Sequence, residues 1–315
     1  MTLTELRYLV ALDAERHFGR AAERSFVSQP TLSVAVKKLE DELGTPIFER
    51  HRGEARPTPV GQRIIEQARV VLAEAEQIKQ IAAEGKDELR GTLRVGAIYT
   101  VGPYLFPHLV PALRAEYPQM PLVIEENYTD VLARRLKQNE LDVIVIALPF
   151  EPAGVMTWPV YDESFVVALP QDHAWVKRKR ISAKDMDEEN VLLLGPGNCF
   201  RDQVLTACPD CHEVEIAGQG TLAGSSLETI RHMVVSGLGI TVLPQSAAEE
   251  SAENQLLSIR PFEKPQPARR IALAWRRSFP RPRAIAALRD TLLQHGPKGV
   301  QLLPDAESSL AGEEA

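Results

Sequence analysis

The first 85 residues alternate apolar and polar positions with the period of an α-helix. Between Ser28 and Gly44, four apolar residues follow one another at intervals of four, three and four positions; they are Leu32, Val36, Leu39 and Leu43. This spacing predicts an amphipathic helix with these four residues facing inward. Ser28 is a favourable N-cap, Pro30 fits the first turn because its missing N–H costs nothing there, and Gly44 ends the helix.

A shorter helical segment, residues 19–24, precedes this helix. The outer face of the second helix carries mostly small or polar side chains, namely Gln29, Thr31, Ser33, Val34, Lys37 and Lys38. Such groups reach base edges and phosphates, and a helix–turn–helix places the N-terminal part of its second helix in the major groove. The spacing alone fits equally well an amphipathic hairpin that packs against its own protein.

The spacing of apolar residues over 59–85 predicts one long helix with an apolar seam that follows a heptad repeat. Its members are Ile64, Ala68, Val71, Ala75, Ile78 and Ala82, with Ile65 and Leu72 beside them. A single helix of this length, about 40 Å, cannot bury such a seam alone. We favour a homodimer through residues 59–85, because a protein that reads two half-sites needs paired heads. The alternative is a helix that lies on its own domain.

Beyond residue 89, strand-like and helical segments alternate. Apolar strand-like runs occupy residues 93–98, 121–127, 141–148, 164–170, 190–195, 239–244 and 270–275. This alternation predicts a mainly parallel α/β architecture with ligands at the carboxyl ends of the strands. The last fifteen residues carry four acidic residues and no basic one, which predicts a solvated or disordered tail.

Length and composition limit the class of protein. A chain of 315 residues is too long for one core, which predicts two or three domains. The N-terminus is charged throughout, and the longest uncharged apolar run, residues 143–150, is far shorter than the roughly 20 residues of a membrane helix. We therefore expect a cytoplasmic protein with no membrane partner. The net charge of −7 conceals a basic segment, with five basic residues against one acidic residue between Arg16 and Lys38.

All three cysteines of the chain lie within thirteen residues, at Cys199, Cys208 and Cys211. In a cytoplasmic protein such a cluster indicates metal or redox chemistry rather than stable disulfides. A zinc site completed by His212 lacks the usual paired ligand spacing. A thioredoxin-like CPDC motif normally opens a helix, whereas this one follows a helix. Inert buried thiols are the simplest interpretation for one cysteine, but less so for three in one segment.

A fourth interpretation is a thiol that reacts with peroxide. Cys199 begins a predicted helix over residues 200–207, and both the helix N-terminus and Arg201 favour the thiolate, which is the species that attacks peroxide oxygen. Asp202 can orient a hydroxyl or a water beside it. No metal or cofactor is predicted.

Several motifs of the N-terminal segment resemble the winged helix–turn–helix of LysR-type transcriptional regulators. They are Ala21-Ala22, SQPTLS at 28–33, KKLEDELG at 37–44, IFER at 47–50 and TPVG at 58–61. By this resemblance the segment after IFER is the wing, which places Arg50, Arg52 and Arg56 over phosphates. The remainder resembles the effector domain of the same family, two α/β lobes like those of a periplasmic binding protein.

Longer stretches resemble the OxyR-type hydrogen peroxide sensors within that family. They include MTLTELRYLVAL, RHFGRAAERSFVSQPTLS, TVGPYLFPHLVP, GNCFRDQVLTAC, SLETIRHMV and GITVLP. The resemblance implies that Cys199 is the peroxidatic residue and Cys208 the resolving one, with Cys211 as an alternative partner. It also implies that Thr100, Thr129 and Asp202 line the peroxide pocket, to which Arg201 adds a positive charge.

The domains expected from these patterns are a winged helix–turn–helix (1–58), a linker and dimerisation helix (59–87), a two-lobed redox-sensing effector domain (88–300) and an acidic disordered tail (301–315). Residues expected to contact DNA are Ser28, Gln29, Pro30, Thr31, Ser33, Lys37, Arg50 and Arg52. If residues 200–207 are helical, the Cα atoms of Cys199 and Cys208 lie about 13 Å apart along the axis. A disulfide tolerates about 7 Å at most, so bond formation requires the helix to unwind.

The expected function is a DNA-binding transcriptional regulator of oxidative-stress genes, switched by oxidation of Cys199, and not an enzyme. Expected partners are promoter DNA, hydrogen peroxide, RNA polymerase, a cellular thiol reductant, and further copies of the chain in a homodimer that assembles to a homotetramer. The alternative is a regulator that binds a small carboxylate between its lobes, with the thiols incidental. A stand-alone thiol peroxidase is less favoured, because an enzyme does not need a basic recognition helix.

Overall fold

The protein is described by a computed structural model that covers residues 1–51, 54–84, 87–209, 212–213, 215–216, 220–221, 223–224, 226–252 and 256–310. Its chain forms two compact units that divide near residue 86. The first unit contains four helices and a two-stranded hairpin. They are α1 (Leu3–Glu15), α2 (Phe18–Arg24), α3 (Gln29–Leu43), β1 (Phe48–His51), β2 (Glu54–Pro57) and α4 (Pro59–Glu84).

Helix α3 is defined by its two caps and by one apolar stripe. The Ser28 hydroxyl accepts a hydrogen bond from the backbone N–H of Thr31 at 3.3 Å, and Gly44 ends the helix in the left-handed conformation with φ 66°. Leu32, Val36 and Leu39 are buried in the core of the unit. Leu43 was expected to face inward with them, but its side chain is 41% exposed, because the helix passes beyond the core in its last turn.

The predicted apolar seam of α4 is buried near its start and exposed further along. Ala68 is buried in the core of its own unit together with Ile65, and Ile64 packs against that core. The later positions Val71 and Ile78 are 37% and 70% exposed. Ile64 and Ala68 therefore lie on their own domain, which was the alternative interpretation, whereas the described seam residues Val71 and Ile78 are exposed and can meet a partner. Like every other described helix, α4 is not apolar enough to cross a membrane.

The second unit is an α/β structure organised around one large mixed sheet. Its helices are α5 (Gly102–Glu116), α6 (Thr129–Lys137), α7 (Cys199–Ala207), α8 (Leu227–Val235), α9 (Gln245–Ala252) and α10 (Pro282–His295). Its main strands are β3 (Leu93–Ile98), β4 (Leu122–Asn127), β5 (Val143–Ala147), β6 (Val155–Leu169), β7 (Asn190–Leu194), β12 (Ile240–Pro244), β13 (Ser258–Pro261) and β14 (Ala268–Arg276). Short strands are β8 (His212–Glu213), β9 (Glu215–Ile216), β10 (Gly220–Thr221), β11 (Ala223–Gly224), β15 (Gln301–Leu302) and β16 (Ser309–Leu310).

The strand order of this sheet is β11-β7-β12-β6-β14-β5-β3-β4. Strand β3 pairs in parallel with β4 and β5, and β12 pairs in parallel with β7. In the middle of the sheet, β6 pairs antiparallel with β14 and with β12. The sheet is therefore mixed rather than mainly parallel, because two long antiparallel strands connect the two parallel halves.

Two separate hydrophobic cores give this unit its two lobes. The first core gathers residues of β3, β5, α5 and α10, and the second gathers residues of β7, β12, α8 and α9. Strand β6 contributes to both, with Val155 and Val160 in the first core and Phe165 and Val167 in the second. The sequence predicted only the second half of β6, since the first half lacks a continuous apolar run.

The C-terminal segment corrects the expectation of a disordered tail over 301–315. Strands β15 and β16 pair antiparallel with β6, and the indole N–H of Trp158 donates to the carbonyl of Ala306 at 2.6 Å. The guanidinium of Arg289 lies 4.3 Å from the Trp158 ring centroid and donates to the carbonyl of Leu303. Residues 301–310 are thus fixed to the sheet edge despite their acidic composition, and residues 311–315 lie outside the described range.

Candidate functional site

The candidate site is built around the first residue of α7. Strand β7 ends at Leu194, and the chain turns through Gly197, whose φ of 91° favours glycine, before α7 begins at Cys199. Asn198 occupies the N-cap, but its side chain makes no capping hydrogen bond to α7. Its amide instead donates to the carbonyl of Gly195 at 3.0 Å. The thiol of Cys199 thus stands at a helix N-terminus that has no side-chain cap.

Cys199 lines a small cavity at the junction of the two lobes. The cavity is about 10 Å³ in volume, and its lining residues are Ile98, Tyr99, Thr100, Asn127, Tyr128, Thr129, Gly197, Asn198 and Cys199. A volume of this size, by the same measure, is about what one water molecule needs. Thr100 and Thr129 were both expected here, and the structure brings them together with Cys199. Their hydroxyls make the wall of the cavity able to donate and accept hydrogen bonds.

The wall of the first lobe comes from the carboxyl ends of β3 and β4, where parallel strands were expected to present a ligand site. Gly102, the first residue of α5, leaves room for the side chain of Glu126, since a Cβ atom there would lie 2.6 Å from Oε1 of Glu126. Burial raises the pKa of the Glu126 carboxyl. These two residues therefore pack together beside this strand end and are not among the residues that line the cavity.

The two described cysteines belong to different cores. Cys199 is half-buried and packs against the core of the first lobe. Cys208 is buried, with 1% exposure, within the core of the second lobe. They stand at opposite ends of α7, about 13 Å apart along its axis at 1.5 Å per residue. Such a separation prevents both a direct disulfide and a shared zinc ion while α7 is intact. Cys211 lies outside the described residues.

A buried ion pair behind the cavity was missed by the sequence analysis. Nε of Arg269, on β14, donates to Oε2 of Glu163 on β6 at 2.8 Å, and both side chains are at most 1% exposed. The guanidinium also donates to the hydroxyl and to the carbonyl oxygen of Thr100, at 2.8 and 2.9 Å. Arg269 therefore fixes the cavity wall through Thr100.

Arg269 also contacts the helix that carries Cys199. Its guanidinium carbon lies 5.0 Å from the ring centroid of Phe200, and the edge of Phe165 meets the same ring at 5.0 Å between centroids. Phe200 is 2% exposed. Little in the sequence pointed to this arrangement, because Arg269 immediately precedes the predicted strand 270–275 and its partner Glu163 lies more than a hundred residues away.

Two further residues expected at the pocket are placed elsewhere. Nη1 of Arg201 donates to the carbonyl of Leu194 at 3.1 Å, and Asp202 is exposed in the first turn of α7. Neither is among the residues that line the cavity beside Cys199. The structure therefore brings Cys199, Thr100 and Thr129 together, but not Arg201 and Asp202.

The surface expected to contact DNA is the outer face of α3. Ser28, Gln29, Pro30, Thr31 and Lys37 are exposed and Ser33 is partly exposed. Lys38, on the same face, is held by an ion pair with Glu5 at 3.0 Å. The exposed set lies on the first turns of the helix, which is the part that a helix–turn–helix presents to base edges.

The expected wing is less fully described. Strands β1 and β2 form the hairpin that follows α3. Arg50 lies on β1, its side chain is outside the described part of the structure, and Arg52 lies outside it altogether. Arg56, which was expected over a phosphate, forms an ion pair with Glu54 at 2.9 Å.

Among the described side chains, no group of three or more histidine, cysteine, aspartate or glutamate residues is arranged to hold a metal ion. Two family models match the chain. Residues 3–62 match the bacterial regulatory helix-turn-helix protein of the lysR family, and residues 86–297 match the LysR substrate binding domain. The chain belongs to the LysR family. This family consists of DNA-binding transcriptional regulators rather than enzymes.

Relatives place this LysR-type regulator within the OxyR group. The chain is 38% identical over 295 residues, 94% of its length and 97% of the relative, to the hydrogen peroxide-inducible genes activator of Pectobacterium carotovorum. A full-length cysteine-to-aspartate variant of OxyR from Pseudomonas aeruginosa is 52% identical, with a TM-score of 0.77 over 97% of this chain and 98% of that one.

A cysteine variant of OxyR from Corynebacterium glutamicum, with hydrogen peroxide bound, is 32% identical, with a TM-score of 0.62 over 93% of this chain and 92% of that one. The winged helix–turn–helix and two-lobed α/β fold are those of full-length OxyR. This LysR-type regulator is thus an OxyR-type activator of hydrogen peroxide-inducible genes.

Proposed function

We propose that this OxyR-type regulator senses hydrogen peroxide through Cys199 and is switched by a disulfide between Cys199 and Cys208. The observation that carries the proposal is the placement of the two thiols at opposite ends of α7. Cys199 lines a cavity about 10 Å³ in volume, and Cys208 is 1% exposed in the core of the other lobe. One thiol is accessible to a small oxidant, and the other becomes available only when its helix rearranges.

The first step is oxidation of Cys199. Its thiolate sulfur attacks one oxygen of hydrogen peroxide, the O–O bond breaks, and the second oxygen leaves as hydroxide. The product is a sulfenic acid on Cys199. The hydroxyls of Thr100 and Thr129 orient the peroxide, and Thr100 is itself held by Arg269. Arg201 and Asp202 lie outside the residues that line this cavity.

The second step joins the two ends of α7. The thiol of Cys208 attacks the sulfenic sulfur, and water leaves as the S–S bond forms. Because a disulfide brings Cα atoms within about 7 Å, α7 must unwind, and Phe200 must leave its contacts with Arg269 and Phe165. The bond thereby holds the lobe in a second packing. When α7 and its neighbours repack, the surface of the effector domain changes. The effector domains of two copies of the chain then pair differently.

The output is a change in promoter DNA binding. The major groove is read by Gln29, Pro30, Thr31, Ser33 and Lys37, with Ser28 as cap and Arg50 and Arg52 on the phosphate backbone.

We propose that homodimers form through residues 59–85 and assemble into a homotetramer. The assembly contacts RNA polymerase at the promoter and is reset by a cytoplasmic thiol reductant. The domain boundaries at residues 58, 87 and 300 belong to the same proposal.

A carboxylate ligand in place of peroxide is not favoured. The cavity beside Cys199 has room for about one water, whereas even the smallest carboxylate contains three non-hydrogen atoms. A metabolite of that kind would have to open this junction before it could bind.

The proposal is tested with Cys199→Ser, Cys208→Ser and Cys211→Ser, each given one equivalent of hydrogen peroxide and then digested for disulfide mapping. We expect no Cys199-linked product in the first variant, a trapped sulfenic acid without the native disulfide in the second, and a complete Cys199–Cys208 disulfide in the third. A Cys199–Cys211 disulfide in the Cys208→Ser variant, with an unchanged promoter response, contradicts the assignment.

The proposed dimer seam has its own test at Ala75, which lies between the exposed seam residues Val71 and Ile78. Ala75→Glu places like charges against each other across a paired seam, and burying them without partners is strongly unfavourable. Ala73→Glu is the matched control, since it introduces the same charge about 200° around the same helix. Light scattering at micromolar concentration should show a smaller mass for Ala75→Glu alone. Equal masses for both variants contradict the seam.

A further inference from the structure

Two partly exposed tyrosines are among the residues that line the cavity beside Cys199. Tyr99 follows β3, and Tyr128 follows β4, so both belong to the first lobe. Their rings meet edge to face, with centroids 5.2 Å apart and an angle of 79° between the planes. This is a favourable geometry for aromatic pairs, because the positive edge of one ring meets the negative face of the other. Each side chain is a little over one third exposed, 37% for Tyr99 and 38% for Tyr128.

The ring of Tyr128 also lies against the backbone of the second lobe. A Cβ atom on Gly197 would lie 3.7 Å from Cδ1 and from Cε1 of this ring, which is ordinary van der Waals contact. Gly197 is two residues before Cys199 in the turn that leads into α7. The aromatic pair therefore extends from the strand ends of one lobe to the turn that positions the thiol.

The cavity is so small that the aromatic pair can affect which peroxides fit beside Cys199. Its volume of about 10 Å³ holds about one water molecule. Hydrogen peroxide contains two oxygen atoms and requires only a small outward movement of the surrounding side chains. An alkyl hydroperoxide adds several carbon atoms on one side of the O–O bond, and a cavity of this size has no space for them.

We propose that Tyr99 and Tyr128 form an aromatic gate that selects hydrogen peroxide over alkyl hydroperoxides at Cys199. This inference rests on the proposed function, because it assumes that Cys199 is the thiol that reacts. The gate acts by exclusion, and the contact that closes it is between rings and not between hydroxyls. Tyr99 and Tyr128 are therefore specificity-determining residues and take no part in the transfer of oxygen.

The chemistry is the same for both oxidants apart from the leaving group. The thiolate of Cys199 attacks the unsubstituted oxygen, the O–O bond breaks, and sulfur is oxidised to the sulfenic acid. Hydroxide leaves from hydrogen peroxide, and an alkoxide leaves from an alkyl hydroperoxide and is protonated by water. Any difference in rate between the two in the wild-type protein therefore reports access and orientation together with leaving-group chemistry, and the variants separate them.

The test compares Tyr128→Ala and Tyr99→Ala with Tyr128→Phe, which keeps the ring and removes only the hydroxyl. Sulfenic acid formation at Cys199 is followed in the full-length Cys208→Ser background with hydrogen peroxide and with tert-butyl hydroperoxide. For each variant, the rate constant for hydrogen peroxide is divided by the rate constant for tert-butyl hydroperoxide. We expect this ratio to fall about tenfold or more in both alanine variants, the scale on which apolar walls discriminate small groups. Tyr128→Phe should keep the wild-type ratio. The hydrogen peroxide rate constant of the same variant is the internal reference, which corrects the ratio for any general change in the reactivity of Cys199.

An unchanged ratio in Tyr128→Ala and Tyr99→Ala, with normal oxidation by hydrogen peroxide, overturns the gate and leaves the proposed function intact. A wild-type protein in which neither oxidant reacts with Cys199 overturns the proposed function instead. Thermal unfolding of each variant controls for folding. An alanine variant that loses both rates in parallel, without loss of folding, also contradicts the gate, because it assigns the tyrosines to support of Cys199 rather than to selection.

Discussion

Helices α3 and α7 both carry proposed functional residues near their N-termini, but their ends are stabilised differently. The recognition helix α3 has 15 residues, a Ser28 side-chain cap and a left-handed glycine at its end. Helix α7 has 9 residues, no side-chain capping bond from Asn198, and Cys208 at its C-cap without the left-handed conformation. Capping contributes about 1 kcal/mol, and short helices depend on tertiary contacts. The comparison indicates that α3 is stabilised by its own caps, whereas α7 depends on contacts with its neighbours, as the proposed unwinding requires.

The largest effect is expected where α7 meets the buried ion pair. Arg269→Met removes the guanidinium that contacts Phe200 and Thr100, and it leaves the Glu163 carboxylate buried without its partner. Breaking a buried pair in this way costs about 3–5 kcal/mol. Urea unfolding should show this loss in the effector unit, while the helix–turn–helix unit keeps its stability.

The control for that experiment is the double variant Arg269→Met, Glu163→Gln. If the penalty arises from the unpaired carboxylate, the double variant should recover part of it, as a double-mutant cycle reveals. Strictly additive losses in the free energy of unfolding would show that the two side chains are not coupled. The ion pair would then not contribute to holding α7 in place.

The next effect concerns α3. Gln29→Ala removes an exposed side chain from the first turn, where base contacts are expected. The change should cost about 1–3 kcal/mol at the preferred operator and relax base preference, whereas Arg52→Ala should weaken all sequences alike and reduce the salt dependence. Both are measured by titration of operator and scrambled DNA over a range of salt concentrations. Normal binding of Gln29→Ala to every operator would mean that another element reads the groove.

The smallest effect is expected from a change in the helix propensity of α7. Thr206 is exposed on α7, so Thr206→Ala and Thr206→Gly differ mainly in helix propensity, by about 1 kcal/mol. If α7 unwinds before the disulfide closes, closure should be about fivefold faster in the glycine variant than in the alanine variant. Sulfenic acid formation at Cys199 should be equal in the two.

The same pair of substitutions at Asp41, an exposed residue of α3, is the matched control and should leave disulfide closure unchanged. Equal closure rates at Thr206 would indicate that α7 does not unwind in the rate-limiting step.

The sequence was sufficient for α3 because everything that defines it is local. Ser28, Gly44 and the spacing of Leu32, Val36 and Leu39 lie within one segment of the chain, and the structure contains the predicted helix. The apolar seam of α4 was harder, because Ile64 and Ala68 are buried by other parts of the same unit, which spacing cannot distinguish from a partner helix. The extended β15 and β16 were missed because acidic composition gave no sign that Trp158 and Arg289 hold that segment.

The candidate site shows the same limit. The position of Cys199 at the start of a helix follows from the local pattern, and Thr100 and Thr129 followed from family resemblance. Arg269 and Glu163 could not be found in this way, since their pairing depends on the register of β14 against β6. Tyr99 and Tyr128 are ordinary aromatic residues until β3 and β4 bring them together. What the sequence lacks is the tertiary juxtaposition that turns separate side chains into a pocket.

Hydrogen exchange of the α7 amides in a Cys211→Ser protein tests the central claim most directly. With Cys211 removed, Cys208 is the only other thiol in the chain, and peptides covering residues 199–208 are followed before and after one equivalent of hydrogen peroxide. The account predicts that α7 loses its protection as the Cys199–Cys208 disulfide forms, while the amides of α3 keep theirs. A fully formed disulfide with the protection of α7 unchanged would contradict it.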